Sequence, residues 1–116
     1  MSKPVGPYTP IVRAGDFLFV SGQLGLRDGT MVEGGVLAEA RQALANLRTL
    51  VESEGATLDH IVKTTVFLAD MADFASVNEV YVEAFGDHRP ARSAIAVAGL
   101  PLGGRFEIEA LLHCPE

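Results

Sequence analysis

Two stretches of helical periodicity, separated by one short β-branched run, constrain the fold of this chain more than any other feature. Apolar residues recur at steps of three and four within residues 36–54 and again after Asp70, which predicts two amphipathic helices. Between them, Ile61–Leu68 is apolar and β-branched enough for a central strand. Gly55 and Gly86 follow the two patterns, as helix-ending glycines do. The predicted core stripes are Leu37, Ala40, Leu44, Leu47 and Val51, then Phe74, Val77, Tyr81, Ala84 and Phe85.

Strands are predicted at both ends of the chain, where apolar and polar residues alternate between Gly- and Pro-containing turns. A tight Gly15-Asp16 turn closes a first hairpin, and the segment 24–35 reads as a loop with a turn at Asp28-Gly29. The resulting order is ββαβαββ, which predicts an α+β fold with two helices packed on one face of a mixed sheet. The four terminal strands cover residues 9–15, 16–23, 91–97 and 105–113.

The length and the apolar content predict a single domain that assembles into an oligomer. A chain of 116 residues fits one domain, and no linker or repeat divides it. Hydrophobic residues make up 48% of the chain, which is rich for so small a protein and predicts apolar surface that meets another subunit.

The charge and cysteine content narrow the partners and the compartment. The formal net charge is -6, and the basic residues are scattered from Lys3 to Arg105, so nucleic-acid binding is not expected. Cys114 is the only cysteine, which excludes an intrachain disulfide and fits a reducing compartment. The N-terminal stretch has no signal-peptide pattern and no run is long enough to span a membrane, so a cytoplasmic protein is predicted.

Arg92 is the strongest candidate for a binding residue. It opens the run ARSAIAV, where Arg92, Ala94 and Ala96 share one face of the predicted strand. A guanidinium in such surroundings needs an anion. One interpretation is a salt bridge to Glu107 or Glu109, whose face of the last strand is expected to form a pocket wall beside the alanines. The other is a carboxylate ligand, which the planar guanidinium can bind through two parallel hydrogen bonds.

Other polar residues lack the spacing of a known site. Ser21 has no nucleophile-elbow motif and no partner at a triad spacing, so a structural role or a hydrogen bond is expected. Gly34-Gly35 precedes a helix without a P-loop lysine and is expected to be a plain loop. The sequence has no pair of closely spaced ligands of the kind that indicates a metal site. Surface, interface or inert roles are therefore expected for His60, His88, His113 and Cys114.

Five motifs, in a consistent order from Gly6 to Leu111, resemble the Rid family of enamine/imine deaminases, also called the YjgF family. They are GPY (6–8), FVSGQ (19–23), IVKTTVFLADMADFASVNEVY (61–81), RPARS (89–93) and FEIEA (106–110). The resemblance implies a chorismate-mutase-like fold, a homotrimer and ligand sites in the clefts between subunits. It also implies the hydrolysis of 2-imino acids, formed from enamines such as 2-aminoacrylate, to 2-oxo acids and ammonia.

The resemblance also assigns roles to residues. Arg92 matches the arginine that binds the substrate carboxylate, and Glu107 matches the glutamate that positions the attacking water. No cofactor or metal is implied, since an iminium is already electrophilic. The positions that line or shape the pocket match Tyr8, Ser21, Gly22, Asn78 and Ala94.

The chain departs from the family pattern at several positions. Ala94 replaces a usual Cys, Ser or Thr, Leu24-Gly25 replaces an Ile-Pro pair, and Ala96 and Gly99 lack the usual charged side chains. These changes bear on substrate range and rate more than on reaction type. Two alternatives stay open, namely a non-catalytic binder of small carboxylates and an endoribonuclease, and the acidic charge opposes the second.

Overall fold

The computed structural model describes residues 6–116, which form a five-stranded sheet, a small second sheet and two helices. Residues 1–5, which include Lys3 and the start of the N-terminal stretch discussed above, lie outside the described residues. The strands are β1 (Ile11–Ala14), β2 (Phe17–Leu24), β3 (Leu26–Arg27), β4 (Thr30–Met31), β5 (Ile61–Leu68), β6 (Ala91–Ala96) and β7 (Phe106–His113), and the helices are α1 (Val36–Glu52) and α2 (Phe74–Phe85).

The main sheet has the order β1-β2-β7-β5-β6, and its connections explain why it is mixed. β5 and β6 run parallel because α2 carries the chain back across the sheet between them, whereas the other neighbours pair antiparallel. Both helices pack on the same face, so the predicted α+β layer fold is confirmed.

Alternation along the strands sorts their side chains between the helix-covered face and the opposite, helix-free face. On β7 the predicted core residues are all buried, and the alternate residues Glu107, Glu109, Leu111 and His113 are not. On α1 the predicted stripe is buried except for Leu37, which is partly buried against the core. The core side chains of β7 are Phe106, Ile108, Ala110 and Leu112.

Three details of the prediction are wrong at the level of single elements. The segment 24–35 is not a plain loop, because β3 and β4 form a small hairpin there. Its turn is Asp28-Gly29, and both residues have positive φ, which suits a tight two-residue turn. Helix α1 ends at Glu52 rather than 54, and Gly55 adopts its left-handed φ of 78° three residues later.

The third difference concerns Glu39, which lies outside the predicted apolar stripe of α1 and yet is only 6% exposed. Its Oε1 accepts a hydrogen bond of 2.7 Å from the backbone N–H of Arg105, the residue directly before β7. This bond compensates part of the cost of burying the carboxylate. It also ties the first turn of α1 to the strand that carries Glu107.

A close approach between Gly25 and α1 makes this packing possible. A Cβ placed on Gly25 would lie 2.6 Å from both the Cα and the carbonyl oxygen of Glu39. Those atoms belong to the helix backbone and cannot rotate away. The glycine therefore allows α1 to lie directly against the chain after β2. Among residues 6–116, no helix is long and apolar enough to cross a membrane.

We expect Gly25→Ala to lower the free energy of unfolding by about 1–3 kcal/mol, since the added methyl group forces the backbone of α1 to shift. Gly99→Ala is the matched control, because a Cβ there meets no atom within 4 Å and its φ is ordinary. Urea denaturation of both variants measures the difference. Equal stability of the two variants would show that the contact between Gly25 and α1 does not limit the packing.

Candidate active site

Arg92 lies on edge strand β6, and its side chain lies on the helix-covered face against α2. Its Nη1 donates a hydrogen bond of 2.8 Å to Oδ1 of Asn78. Its Cζ lies 4.8 Å from the ring centroid of Tyr81 and 5.3 Å from that of Phe74, within the range of cation–π attraction. One amide and two aromatic rings therefore hold the half-buried guanidinium in place.

Within residues 6–116, no carboxylate pairs with Arg92. The ion pairs among residues 6–116 join Arg13 to Glu116 and Arg41 to Glu83. The predicted salt bridge from Arg92 to Glu107 or Glu109 is therefore wrong within one chain. A guanidinium has five N–H donors, and the described residues take up one of them. The remaining donors leave an edge of Arg92 available to an anion.

Glu107 lies on β7, on the helix-free face, and its carboxylate covers the backbone of Gly22. A Cβ on Gly22 would lie 2.2 Å from Oε2 of Glu107, so the glycine leaves the space that the carboxylate fills. Gly22 lies where the pairing of β2 with β7 shifts register, between Val20 and Gln23. Burial raises the pKa of Glu107, and the nearby charge of Glu109 raises it further.

Arg92 and Glu107 lie on opposite faces of the sheet, which corrects the expected shared pocket wall. Arg92 is in register with Thr64 on β5, and Thr64 with Ala110 on β7, so all three share the helix-covered face. Glu107 pairs with Phe67, three positions further along and on the helix-free face. Two strand spacings and three residues separate the two Cα atoms by roughly 14 Å. One small ligand cannot contact both groups of one chain.

The other predicted site residues divide between the two groups. Asn78 contacts Arg92 directly, and Ala94 shares its face and packs against the core. On the helix-free side, Ser21 precedes Gly22, and its hydroxyl donates to the carbonyl of Thr9 at 2.7 Å. Tyr8 lies in the segment before β1, and its side chain is exposed.

An open cavity of about 490 Å³ lies on the helix-free face beside Ser21. Polar and charged side chains from three strands contribute to its wall, and Lys63 also donates a hydrogen bond of 2.8 Å to Ser93. The polar lining residues are Thr9, Ser21, Lys63, Thr65 and Glu109.

Sequence reasoning assigned Phe74 and Tyr81 to the core stripe and missed their contact with Arg92. A signal was present, since Phe74, Asn78 and Tyr81 are spaced by four and three residues and so share one face of a helix. A tyrosine and an amide on one helical face, close to an unpaired arginine, indicate more than core packing. What the spacing could not show is that this face meets β6.

Two of the histidines, the cysteine and the paired glycines take structural positions. Nδ1 of His60 accepts from the backbone of Thr57 at 3.0 Å, and Nε2 of His88 lies 2.7 Å from the carbonyl oxygen of Ile61. Gly35 precedes α1, and Cys114 is buried. Residues 6–116 contain no group of three or more His, Cys, Asp or Glu side chains arranged to hold a metal ion.

A mixed sheet with two helices on one face and this strand order defines an α+β protein of the chorismate-mutase-like class. Comparison with known proteins narrows the class to a family. Residues 1–114 match the family model described as Endoribonuclease L-PSP, and the chain belongs to this family, the Rid (YjgF/RidA) family. The resemblance noted in the sequence is thus confirmed.

Individual relatives are similar over four fifths or more of their own length. A 2-iminobutanoate/2-iminopropanoate deaminase of mouse (Mus musculus) is 48% identical, over 92% of this chain and 81% of its own. The crystal structure of RidA from the Antarctic bacterium Psychrobacter is 41% identical with a TM-score of 0.91, covering 96% of this chain and 91% of that one. The structure of E. coli TdcF with bound serine is 38% identical with a TM-score of 0.88, covering 95% and 90%. These relatives confirm the prediction of an enzyme of the deaminase type.

We expect Glu107→Gln to raise the free energy of unfolding at neutral pH, with the gain shrinking as the pH falls. The ordinary pKa of this carboxyl is 4.5 and folding raises it, so the folded state favours the protonated form. Stability from this group is full below the unfolded pKa and is lost as the pH rises through the folded pKa. Urea titrations at about pH 4 and about pH 7 measure the difference. A gain independent of pH would contradict the raised pKa.

Proposed function

We propose that this chain hydrolyses 2-imino acids, formed from enamines such as 2-aminoacrylate, to 2-oxo acids and ammonia. The observation that carries the proposal is Arg92, whose guanidinium is held by Asn78 and two aromatic rings and has no carboxylate partner among residues 6–116. The names of relatives at up to 48% identity support the same reaction. A serine-bound relative supports a ligand that carries a carboxylate.

In this proposal Arg92 anchors the substrate. Its unused N–H groups can donate two parallel hydrogen bonds to the carboxylate, a geometry that lysine cannot reproduce. The imine carbon is bonded directly to that carboxylate carbon, so anchoring one fixes the position of the other. Fixing the reacting carbon within reach of a held water is itself a source of rate acceleration. Ala94, on the same face of β6, packs against the core, and its methyl group offers no hydrogen-bond donor or acceptor to the ligand.

Glu107 holds the water and moves protons. Its carboxylate accepts a proton from the water as the water oxygen bonds to the carbon of the iminium, which gives a neutral carbinolamine. The carboxyl group then returns that proton to the nitrogen. As the C–N bond breaks and the C=O bond forms, the carboxylate takes the proton of the carbinolamine hydroxyl, and the 2-oxo acid and ammonia leave. A carboxyl whose pKa is raised toward neutrality is better suited to both transfers than an ordinary one.

The two groups can meet on one substrate only if two copies of the chain form the site. Within one chain they lie on opposite faces of the sheet, while the substrate is only a few atoms long. The helix-free face carries large apolar side chains that are about half exposed, which suits burial against a second copy. Those side chains are Val12 at 48%, Phe19 at 50% and Ile95 at 45%. We propose a homotrimer with Arg92 of one copy facing Glu107 of the next.

Other features of the proposal follow from the sequence alone. A single domain over residues 1–116 and a cytoplasmic location stay predictions, and one family relative, from Schizosaccharomyces pombe, is named as mitochondrial. The description of the family model raises ribonuclease activity as a second candidate. The net charge of -6 opposes it, since a polyanion is repelled on average. Failure of the purified protein to cleave RNA under conditions of rapid imine hydrolysis would exclude it.

Arg92→Ala and Glu107→Gln should fail in different ways in an assay where a serine/threonine dehydratase generates the imine. Losing the charge-assisted anchor should weaken carboxylate binding by on the order of 2–4 kcal/mol. Glu107→Gln keeps shape and a hydrogen bond but loses the base, so kcat should fall by roughly two to four orders of magnitude with binding retained. Arg89→Ala is the matched control, because Arg89 lies in the same segment but donates to backbone carbonyls. Full activity of Glu107→Gln contradicts the proposed role.

Mixing the two inactive variants tests whether two copies form the site. Arg92→Ala and Glu107→Gln, unfolded together in equal amounts and refolded, should give mixed assemblies in which some clefts combine an intact Arg92 with an intact Glu107. Random assembly predicts about a quarter of the wild-type activity. Light scattering checks that the mixture has the mass of the wild type, and separately refolded variants mixed afterwards are the control. Absence of recovery, with assembly intact, would place both groups in one chain.

A further inference from the structure

We propose that Tyr81 is a positioning residue for Arg92 and that the buried hydroxyl of Thr64 holds its ring in place. The proposal rests on the function proposed above, because it concerns how tightly that site holds the substrate carboxylate. Neither residue touches the substrate in this scheme. Both act through the orientation of the Arg92 guanidinium.

Among residues 6–116, this pair makes the most deeply buried side-chain hydrogen bond on the helix-covered face. Thr64 is 0% exposed and Tyr81 is 4% exposed, and their hydroxyl oxygens lie 2.8 Å apart. Thr64 is directly in register with Arg92 on the neighbouring strand, so the bond lies beside the arginine. Burial raises the pKa of Tyr81, so the phenol stays neutral beside the Arg92 guanidinium.

Core stability alone does not require these two hydroxyls. A buried hydrogen-bonded pair contributes little relative to apolar groups of the same shape, and Val and Phe are close matches for Thr and Tyr. What the pair adds is a fixed ring. The Phe85 ring, 4.6 Å away, packs against Tyr81, and Thr64 holds its hydroxyl end, so the ring is held at both its body and its tip.

A fixed ring matters because arginine is long and has many rotamers. Freezing such a side chain on ligand binding costs free energy, and prior immobilisation removes that cost from the binding step. Tyr81 attracts the face of the guanidinium while Asn78 occupies Nη1. The arginine is thereby oriented before the substrate arrives, with its remaining donors free.

Four variants separate positioning from simple packing. Tyr81→Leu removes the ring, and the double variant Thr64→Val with Tyr81→Phe keeps the ring but removes its tether without leaving a lone buried hydroxyl. We expect KM to rise about 10- to 30-fold for Tyr81→Leu and about 3- to 5-fold for the double variant, with kcat changed less than about 3-fold. Tyr81→Phe, which restores the ring, should recover most of the loss. Val80→Ala, a buried truncation on the same helix, is the control for lost packing.

Binding of 2-oxobutanoate, measured by calorimetry, provides a readout that does not depend on turnover. A Kd that rises in parallel with KM for Tyr81→Leu, and not for Val80→Ala, supports the inference. Values for Tyr81→Leu equal to those of Val80→Ala overturn it. If Tyr81→Leu does not fold, the double variant provides the test. A Kd of the double variant for 2-oxobutanoate that equals the wild-type value overturns the inference.

The same measurements keep this inference distinct from the proposed function. A wild-type protein that binds 2-oxobutanoate but does not hydrolyse the imine overturns the function, while the comparison of Kd values still decides the role of Tyr81. A wild-type protein that neither binds the acid nor hydrolyses the imine overturns both.

Discussion

A half-buried guanidinium that has no carboxylate partner within the described part of the chain governs the architecture around β6. Removing a cation from water is costly, and the chain answers with two ring faces and one amide oxygen, all from α2, rather than with an opposite charge. A built-in carboxylate would have stabilised the free protein but occupied the edge that an anionic ligand needs. The helix therefore stabilises Arg92 only in part, and in the proposed mechanism the carboxylate of the substrate supplies the missing anion.

The elements of this fold could be predicted from periodicity because they bury one face each. Both helices, the central strand and the hairpin lie where the pattern placed them, within one or two residues at most ends. Each of the two exceptions has a physical cause that periodicity does not reveal. The hairpin of β3 and β4 has only two paired residues on each side, too few for alternation to be visible. The burial of Glu39 depends on the backbone of Arg105, which is distant in sequence.

The site was less predictable than the fold, because alternation assigns faces within a strand but not between strands. The residues of β6 and β7 were sorted correctly into alternate sets, yet nothing local showed that Arg92 and Glu107 belong to opposite faces. That relation is set by the register of each strand with β5. The cation–π contacts of Arg92 depend on the same register. They form only because α2 returns the chain so that β6 pairs with β5 at the edge of the sheet.

The parts that hold Arg92 all come from one continuous segment of chain. The unit β5–α2–β6 supplies Thr64, Phe74, Asn78, Tyr81 and the arginine itself, whereas Gly22 and Glu107 belong to the antiparallel part of the sheet. In the proposed mechanism, carboxylate binding and proton transfer therefore come from separate stretches of the chain. A substitution within β5–α2–β6 can then change which acid is bound while the residues that move protons stay in place.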